Sequence, residues 1–319
     1  MPGREITLLM FNKMNDADNI EKIIIFLNEN NLIFKQTERF TFNVYDQLNN
    51  LILQIRYVNS AENKIGYKKF GYDGLSAKYC FEISKSNEDN RIRVMWWRDF
   101  EIENPRKNEV IKSYILAVCG KIKNRIYARD CVIKEIPSKQ LRSFLDTNCF
   151  YGYRSASKNF GLYLKKDKGQ LKKDDLAMMW SIGHPFYGKS KYDLEIIRAS
   201  TVLFTQVVGG SSKLFSHIKN IPVFQCGKKE IKWNSLAFYC DYDHNNGASL
   251  PLLGFKLLNY SGGGFMNINT ETGEAFNRKP AMHKQIMQMM AEGKVISTPL
   301  AGVKTFIFCR DGDYSKYGI

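Results

Sequence analysis

Apolar positions early in the chain fall at helical spacing. Ile20, Ile23, Ile24 and Leu27 share one face of Asp16–Asn30, with Asp16 or Asp18 placed to cap it, and this predicts an amphipathic helix. The period then shortens. Phe40–Tyr45 and Leu51–Val58 are rich in β-formers and are separated by Leu48-Asn49-Asn50, which predicts a hairpin. Residues 59–74 are polar and contain glycine, so they read as a loop. Ile92–Trp97 reads as an apolar strand, and Pro105 opens a helix carrying Val110, Ile111, Tyr114, Ile115 and Val118. Helix, hairpin, crossover, strand and helix together make an α/β unit.

The rhythm changes after the basic connection Gly120–Arg129. Ser138 is placed to cap a helix over Lys139–Asn148, and Phe160–Leu164, Leu176–His184 and Leu194–Ala199 read as an antiparallel meander. Gly209–Lys213 (GGSSK) follows a strand and opens a helix, Leu214–Lys219. Leu236–Asp241 reads as a strand, Asn245–Leu253 as a short helix and Gly254–Asn259 as a strand. In the Met-rich helix Met282–Met290, Met287, Met289 and Met290 read as core filling. No repeat or low-complexity tract interrupts this order. The expectation is two α/β domains, 1–125 and 126–319, with the boundary near 125–137.

Composition supports two cores of ordinary size: 319 residues, 44% hydrophobic and 25% charged. The net charge of +15 is spread unevenly, since residues 105–173 hold 17 Lys and Arg against 5 Asp and Glu. Tyr114, Tyr127, Phe150, Tyr151 and Tyr153 interleave these charges. Such a stretch is either a solvated face or a surface that tracks phosphates and stacks on sugars or bases. It argues against an acidic partner. A membrane is disfavoured too, because runs such as Ile23–Leu27 fall far short of the roughly 18 residues a spanning helix needs. The seven cysteines include no CxxC pair and the N-terminus has no leader pattern, which predicts reduced thiols in the cytoplasm. His184, His217, His244 and His283 show no paired spacing, so no histidine-built metal site is expected.

Several runs then carry a resemblance. They are Asn104–Ile136 (NPRKNEVIKSYILAVCGKIKNRIYARDCVIKEI), Glu195–Arg198 (EIIR), Val208–Phe215 (VGGSSKLF), Asp241–Phe255 (DYDHNNGASLPLLGF) and the closing run His283–Phe308. In this order they resemble phage-encoded homing endonucleases of the Vsr-like, PD-(D/E)xK type, most strongly from 104 to 258. The resemblance implies a restriction-endonuclease-like α/β domain followed by a GNAT-like (acetyltransferase-like) α/β domain with a mixed, largely antiparallel sheet. It also implies a basic junction in which Lys112, Lys121, Lys123, Arg125, Arg129 and Lys134 grip double-stranded DNA in the host cytoplasm.

In that family an Asp on the first hairpin strand and a Glu on the second hold Mg²⁺, assisted by a His on the next helix. Here Asn43, Gln54 and Cys80 stand at those places. Neutral amides hold a hard dication far more weakly than carboxylates. A second alignment groups Asp46 with Gln54 and Arg56 as D…QxR and keeps Asp99 as an acid; it would make the protein a Mg²⁺-dependent endonuclease. In the second domain the resemblance gives Gly209, Gly210, Ser211, Ser212 and Lys213 the pyrophosphate of acetyl-coenzyme A or a related cofactor. The same turn could hold a DNA phosphate, or serve only as a turn. Asp243 and His244 read either as an acid–base pair for group transfer or as caps of a helix starting at Asn245 or Asn246. Three functions follow: a DNA-binding protein derived from a homing endonuclease, with cleavage in question; a GNAT-fold, Mom-like enzyme modifying DNA bases; or a non-catalytic adaptor for another protein.

Overall fold

A computed structural model describes residues 16–60, 76–185, 191–272 and 283–319. The chain is α/β, and its sheets are mostly antiparallel. Most of the loop expected over 59–74 lies outside the described residues.

Helix α1 (Asp16–Glu29) buries Ile23 and Leu27 of the expected face together with Asn19 and Phe26, while Ile20 and Ile24 are only half-buried. Strands β1 (Ile33–Glu38), β2 (Thr41–Tyr45) and β3 (Leu51–Val58) run antiparallel in turn. Helix α2 (Ala77–Asp89) then crosses over, so that β4 (Arg93–Arg98) pairs parallel to β3. Alternation divides the sheet's faces. Phe42, Val44, Leu53, Ile55, Tyr57, Met95 and Trp97 are buried on one side, where Trp97 meets Phe26 edge to face at 5.9 Å. The register puts Asn43, Gln54, Arg56 and Trp96 on the other side, and there the Trp96 indole donates to Ser84 Oγ of α2 at 3.0 Å. Two short steps follow, α3 (Asp99–Glu103) and α4 (Pro105–Val118).

Strand β5 (Asn124–Tyr127), a 3₁₀ turn at Ala128–Asp130 and β6 (Cys131–Glu135) lead into α5 (Ser138–Asn148). Ser138 is the first residue of that helix rather than its cap; extended Pro137 holds the cap position, and no side chain bonds there. The meander is as expected: β7 (Lys158–Leu164), β8 (Leu176–Gly183) and β9 (Leu194–Thr201) pair antiparallel with one another, and β6 pairs with β7. Next come β10 (Thr205–Val208), α6 (Gly210–Lys219), the hairpin β11 (Val223–Cys226) and β12 (Lys229–Lys232), and β13 (Ser235–Asp241), which lies parallel to β9. No helix spans Asn245–Leu253. Gly247 sits at φ +70°, where a Cβ would meet the Phe306 ring at 2.5 Å, and only Pro251–Leu253 closes into a 3₁₀ turn.

The remaining elements are β14 (Lys256–Ser261), β15 (Gly264–Asn269), α7 (His283–Ala291), β16 (Val295–Leu300) and β17 (Val303–Cys309). The seven-stranded sheet has the order β14-β17-β13-β9-β8-β7-β6, and its core gathers Phe160, Trp180, Leu194, Leu214, Phe215 and Phe255. Strands β15 and β16 form a separate antiparallel ribbon, and its Met266, Ile268 and Ile296 pack with Phe100. Among the described side chains of α7 the buried one is Ile286; Met287, Met289 and Met290 are only half-buried, so the methionines do not fill the core as expected.

The chain divides into two compact units. The first comprises 1–108, 241–246 and 261–303, and the second 109–240, 247–260 and 304–319. A single boundary near 125–137 therefore does not describe the packing, because two later segments return to the first unit. Among the described residues no helix is long and apolar enough to cross a membrane. All seven cysteines are free thiols.

Candidate functional site

In the first unit, hairpin register sets Asn43 directly opposite Gln54. The Gln54 amide nitrogen donates to Asn43 Oδ1 at 3.0 Å, and Arg56 Nε donates to Gln54 Oε1 at 2.6 Å. The same guanidinium donates to the Tyr79 hydroxyl of α2 at 3.4 Å and lies 5.7 Å over the Trp96 ring. Asn43 and Gln54 are thus brought together, the pair the first alignment needs, and Gln54 and Arg56, two of the three the second needs. The acids are not brought to them. Both Asp46 oxygens are engaged in closing the β2–β3 turn, accepting from the Leu48 and Asn50 backbones and the Asn50 side chain, and these bonds hold its pKa below the usual value. Asp99 starts α3 and is buried, with one oxygen accepting from Ser60 N at 2.9 Å and the other from Phe100 N at 2.8 Å. Burial pushes its pKa up to about 6. Cys80, at the expected His place, is fully buried, and desolvation raises its thiol to about 12, so it is no base near neutrality. Two amides and a cation do not fit a divalent metal, which needs carboxylate charge and free oxygen lone pairs.

Asp243 and His244 belong to a buried ion network in the first unit. Arg98 ends β4; its backbone N–H donates to Glu101 Oε2 at 2.8 Å, and its guanidinium pairs with Glu101 at 3.2 Å and with Asp243, and bonds Pro299 O at 2.7 Å. Asp243 also accepts from Ala301 N at 3.2 Å. His244 Nδ1 lies 2.9 Å from Asp241 Oδ2, and its Nε2 lies 3.8 Å from Glu101. Burial alone would lower the His244 pKa, but Asp241 and Glu101 outweigh it and push the imidazole up to about 10. Burial would likewise raise Glu101, yet Arg98 and His244 hold it below its ordinary value. The pair is neither solvent-facing acid–base machinery nor a helix cap: Asp243 is 1% exposed, His244 is 3% exposed, and no helix starts at Asn245.

In the second unit β5 and β10 form a parallel ribbon, with Arg125 beside Gln206 and Tyr127 beside Val208, all four exposed. The Arg129 guanidinium lies 5.0 Å over the Tyr127 ring, and Lys165 Nζ donates to Arg129 O at 2.9 Å. The loop after Lys165 comes close enough that a Cβ at Gly169 would meet Asn124 Oδ1 at 2.8 Å. Lys123, Arg125 and Arg129, on or beside β5, and Lys165, Lys166 and Lys168, on the loop after β7, are exposed and form no ion pair among the described residues. Two expected DNA contacts are already neutralised: Lys112 pairs with Glu109 at 3.0 Å and Lys134 with Asp174 at 2.7 Å. Lys121 is half-buried.

The glycine turn leads from this ribbon into α6. Gly209 adopts φ +74°, a left-handed cap conformation. A Cβ at Gly210 would come within 2.5 Å of Met178 Sδ and 2.8 Å of Val207 Cγ1, so packing requires this glycine. Gly210→Ala is expected to cost about 1–3 kcal/mol, measured by urea unfolding. Ser211 is half-buried and Ser212 exposed on the first turn, while Lys213 Nζ is committed to Ala128 O at 2.9 Å and Cys131 O at 2.6 Å. The one cation of the turn is thus not free for a pyrophosphate, and Asp243 and His244 supply no acid–base pair. His217 of α6 sits edge-on to Phe160 at 4.9 Å, and His184 is exposed. The chain matches no protein family and no curated protein.

Proposed function

We propose that the protein binds double-stranded DNA through the ribbon surface of its second unit, in a lineage of homing endonucleases whose cleavage chemistry has been lost. The observation that carries this reading is the set of exposed cations without an ion pair on and beside β5, Lys123, Arg125 and Arg129, with Arg129 over the exposed Tyr127 ring and Lys165 reaching the Arg129 carbonyl. Every Lys or Arg that reaches a phosphate releases a condensed counterion, and an exposed aromatic ring among them can stack on sugar or base. The start of α6 lies next in sequence to β10 and presents first-turn N–H groups of the same polarity. A mixed, largely antiparallel sheet in the second unit, and a hairpin with a parallel crossover strand in the first, support the two-part lineage.

The triple variant Lys123→Glu, Arg125→Glu, Arg129→Glu is expected to raise the Kd for a short duplex at least tenfold. It should also lower the slope of log affinity against log salt by roughly three, one per lost phosphate contact, with the melting temperature unchanged. An unaltered Kd would return the stretch to a solvated face. Cleavage in Mg²⁺ or Mn²⁺ that disappears in Asp46→Ala or Asp99→Ala would show that the nuclease survives.

A further inference from the structure

The first unit carries a second feature that points to a ligand. Arg56 is a half-buried cation, yet no carboxylate pairs with it among the described residues. A guanidinium withdrawn from water without a counter-charge is costly, and its position is nonetheless fixed by Gln54, Tyr79 and Trp96. Hydrogen-bond polarity then decides what the site can take. Arg56 only donates, so it requires the oxygen of Gln54. The Gln54 nitrogen therefore turns to Asn43, and it requires the oxygen of Asn43. What Asn43 has left to offer is its N–H pair. Tyr79 accepts from Arg56 and keeps its own O–H to donate. Lys35 stands opposite Asn43 on β1, hence on the same face, and is exposed. Both amide oxygens already accept an internal bond and neither carries a charge, and the groups left wholly over are donors and cations.

We infer that this sheet face, where the resemblance places a metal, is instead a metal-independent seat for a phosphate oxyanion held by Arg56, Asn43, Tyr79 and Lys35. The inference uses the first unit alone and does not depend on the ribbon surface of the second. The oxyanion can come from a DNA backbone or from a free phosphate or nucleotide.

The test is thermal unfolding of the full chain with inorganic phosphate, against sodium chloride of equal ionic strength, and separately with Mg²⁺. Phosphate is expected to shift the melting temperature upward, and Mg²⁺ to produce no shift beyond that of salt. Arg56→Gln should lose the phosphate shift. If that variant does not fold, Asn43→Asp serves instead: it sets a carboxylate beside Arg56 and should lose the shift by occupying the seat from within. The double variant Asn43→Asp, Gln54→Glu, which supplies two carboxylates, should gain a Mg²⁺ shift. The inference is overturned if wild type responds to Mg²⁺ and not to phosphate, or if the phosphate shift survives in the variants that fold. The source is read from a short duplex. Weaker duplex binding by Arg56→Gln assigns the oxyanion to DNA; unchanged duplex binding with a lost phosphate shift assigns it to a free phosphate. Failure of the ribbon reading shows separately, as duplex affinity indifferent to the Lys123, Arg125 and Arg129 reversals.

Discussion

Arg98→Met is expected to destabilise the first unit by about 3–5 kcal/mol, the loss typical when one partner of a buried ion pair is removed. Arg98 is wholly buried, and so are Glu101 and Asp243, the carboxylates it neutralises. Asp243 and Glu101 hold the guanidinium charged against the burial that would otherwise discharge it. Without it, two carboxylates remain in an apolar interior with no full counter-charge except His244. The network also fastens three stretches distant in sequence, since Arg98 reaches Asp243 and the Pro299 carbonyl while Asp243 receives Ala301 N. A loss of this size is a large share of a domain's net stability of roughly 5–15 kcal/mol. The measurement is thermal unfolding, with a melting temperature lower by roughly 10 °C. Adding Glu101→Gln and Asp243→Asn to Arg98→Met should recover part of that loss, because the stranded charges go with their partner. A single variant as stable as wild type would mean that the network does not form.

The network marks where reading the sequence ran out. Local periodicity found α1, the β2–β3 hairpin, β4 and the meander, because each presents an apolar face of the right period. It missed α2, whose buried residues are Ala77, Cys80 and Ser84, too small and polar to register as an apolar stripe. It also missed the return of 241–246 and 261–303 to the first unit, because hydrophobic pattern shows that a segment buries a face and not which core receives it. The candidate site divides the same way. Opposition of Asn43 and Gln54 follows from hairpin register, so it was legible. The part of Tyr79 was not: the resemblance implies a helix around Cys80, but no apolar stripe marks it and nothing pointed to Tyr79. Asp46 drew attention as an acid, although an Asp ahead of Leu48-Asn49-Asn50 is a turn former first, and its bonds show that use. Charge counting found the basic stretch but not which cations are already spent. The Glu109–Lys112 pair could have been read from its spacing of three, whereas Lys134 with Asp174 needed the fold.

His244 gives the first unit a stability that falls as the solution turns alkaline. Burial opposes its charge, but Asp241 and Glu101 prevail and raise its pKa to about 10, against about 6.5 for an unfolded histidine. Below about pH 6.5 the imidazole is protonated in both states, and its contribution is fully present. Between about 6.5 and 10 the unfolded chain releases the proton while the folded chain keeps it, so unfolding gains on folding with each step in pH. Above the folded pKa the contribution is gone. The total at stake is on the order of 3–5 kcal/mol. Cys80 and Tyr57, whose pKa values burial raises, also favour unfolding at high pH, but they are common to wild type and to His244→Asn and cancel in the difference. The quantity to measure is that difference in unfolding free energy, from urea titrations between pH 6.5 and 9.5. It should be greatest at pH 6.5 and shrink steadily toward pH 10. A difference that does not change with pH would mean that His244 is neutral when folded, leaving Asp241 and Glu101 to be compensated by hydrogen bonds rather than by charge.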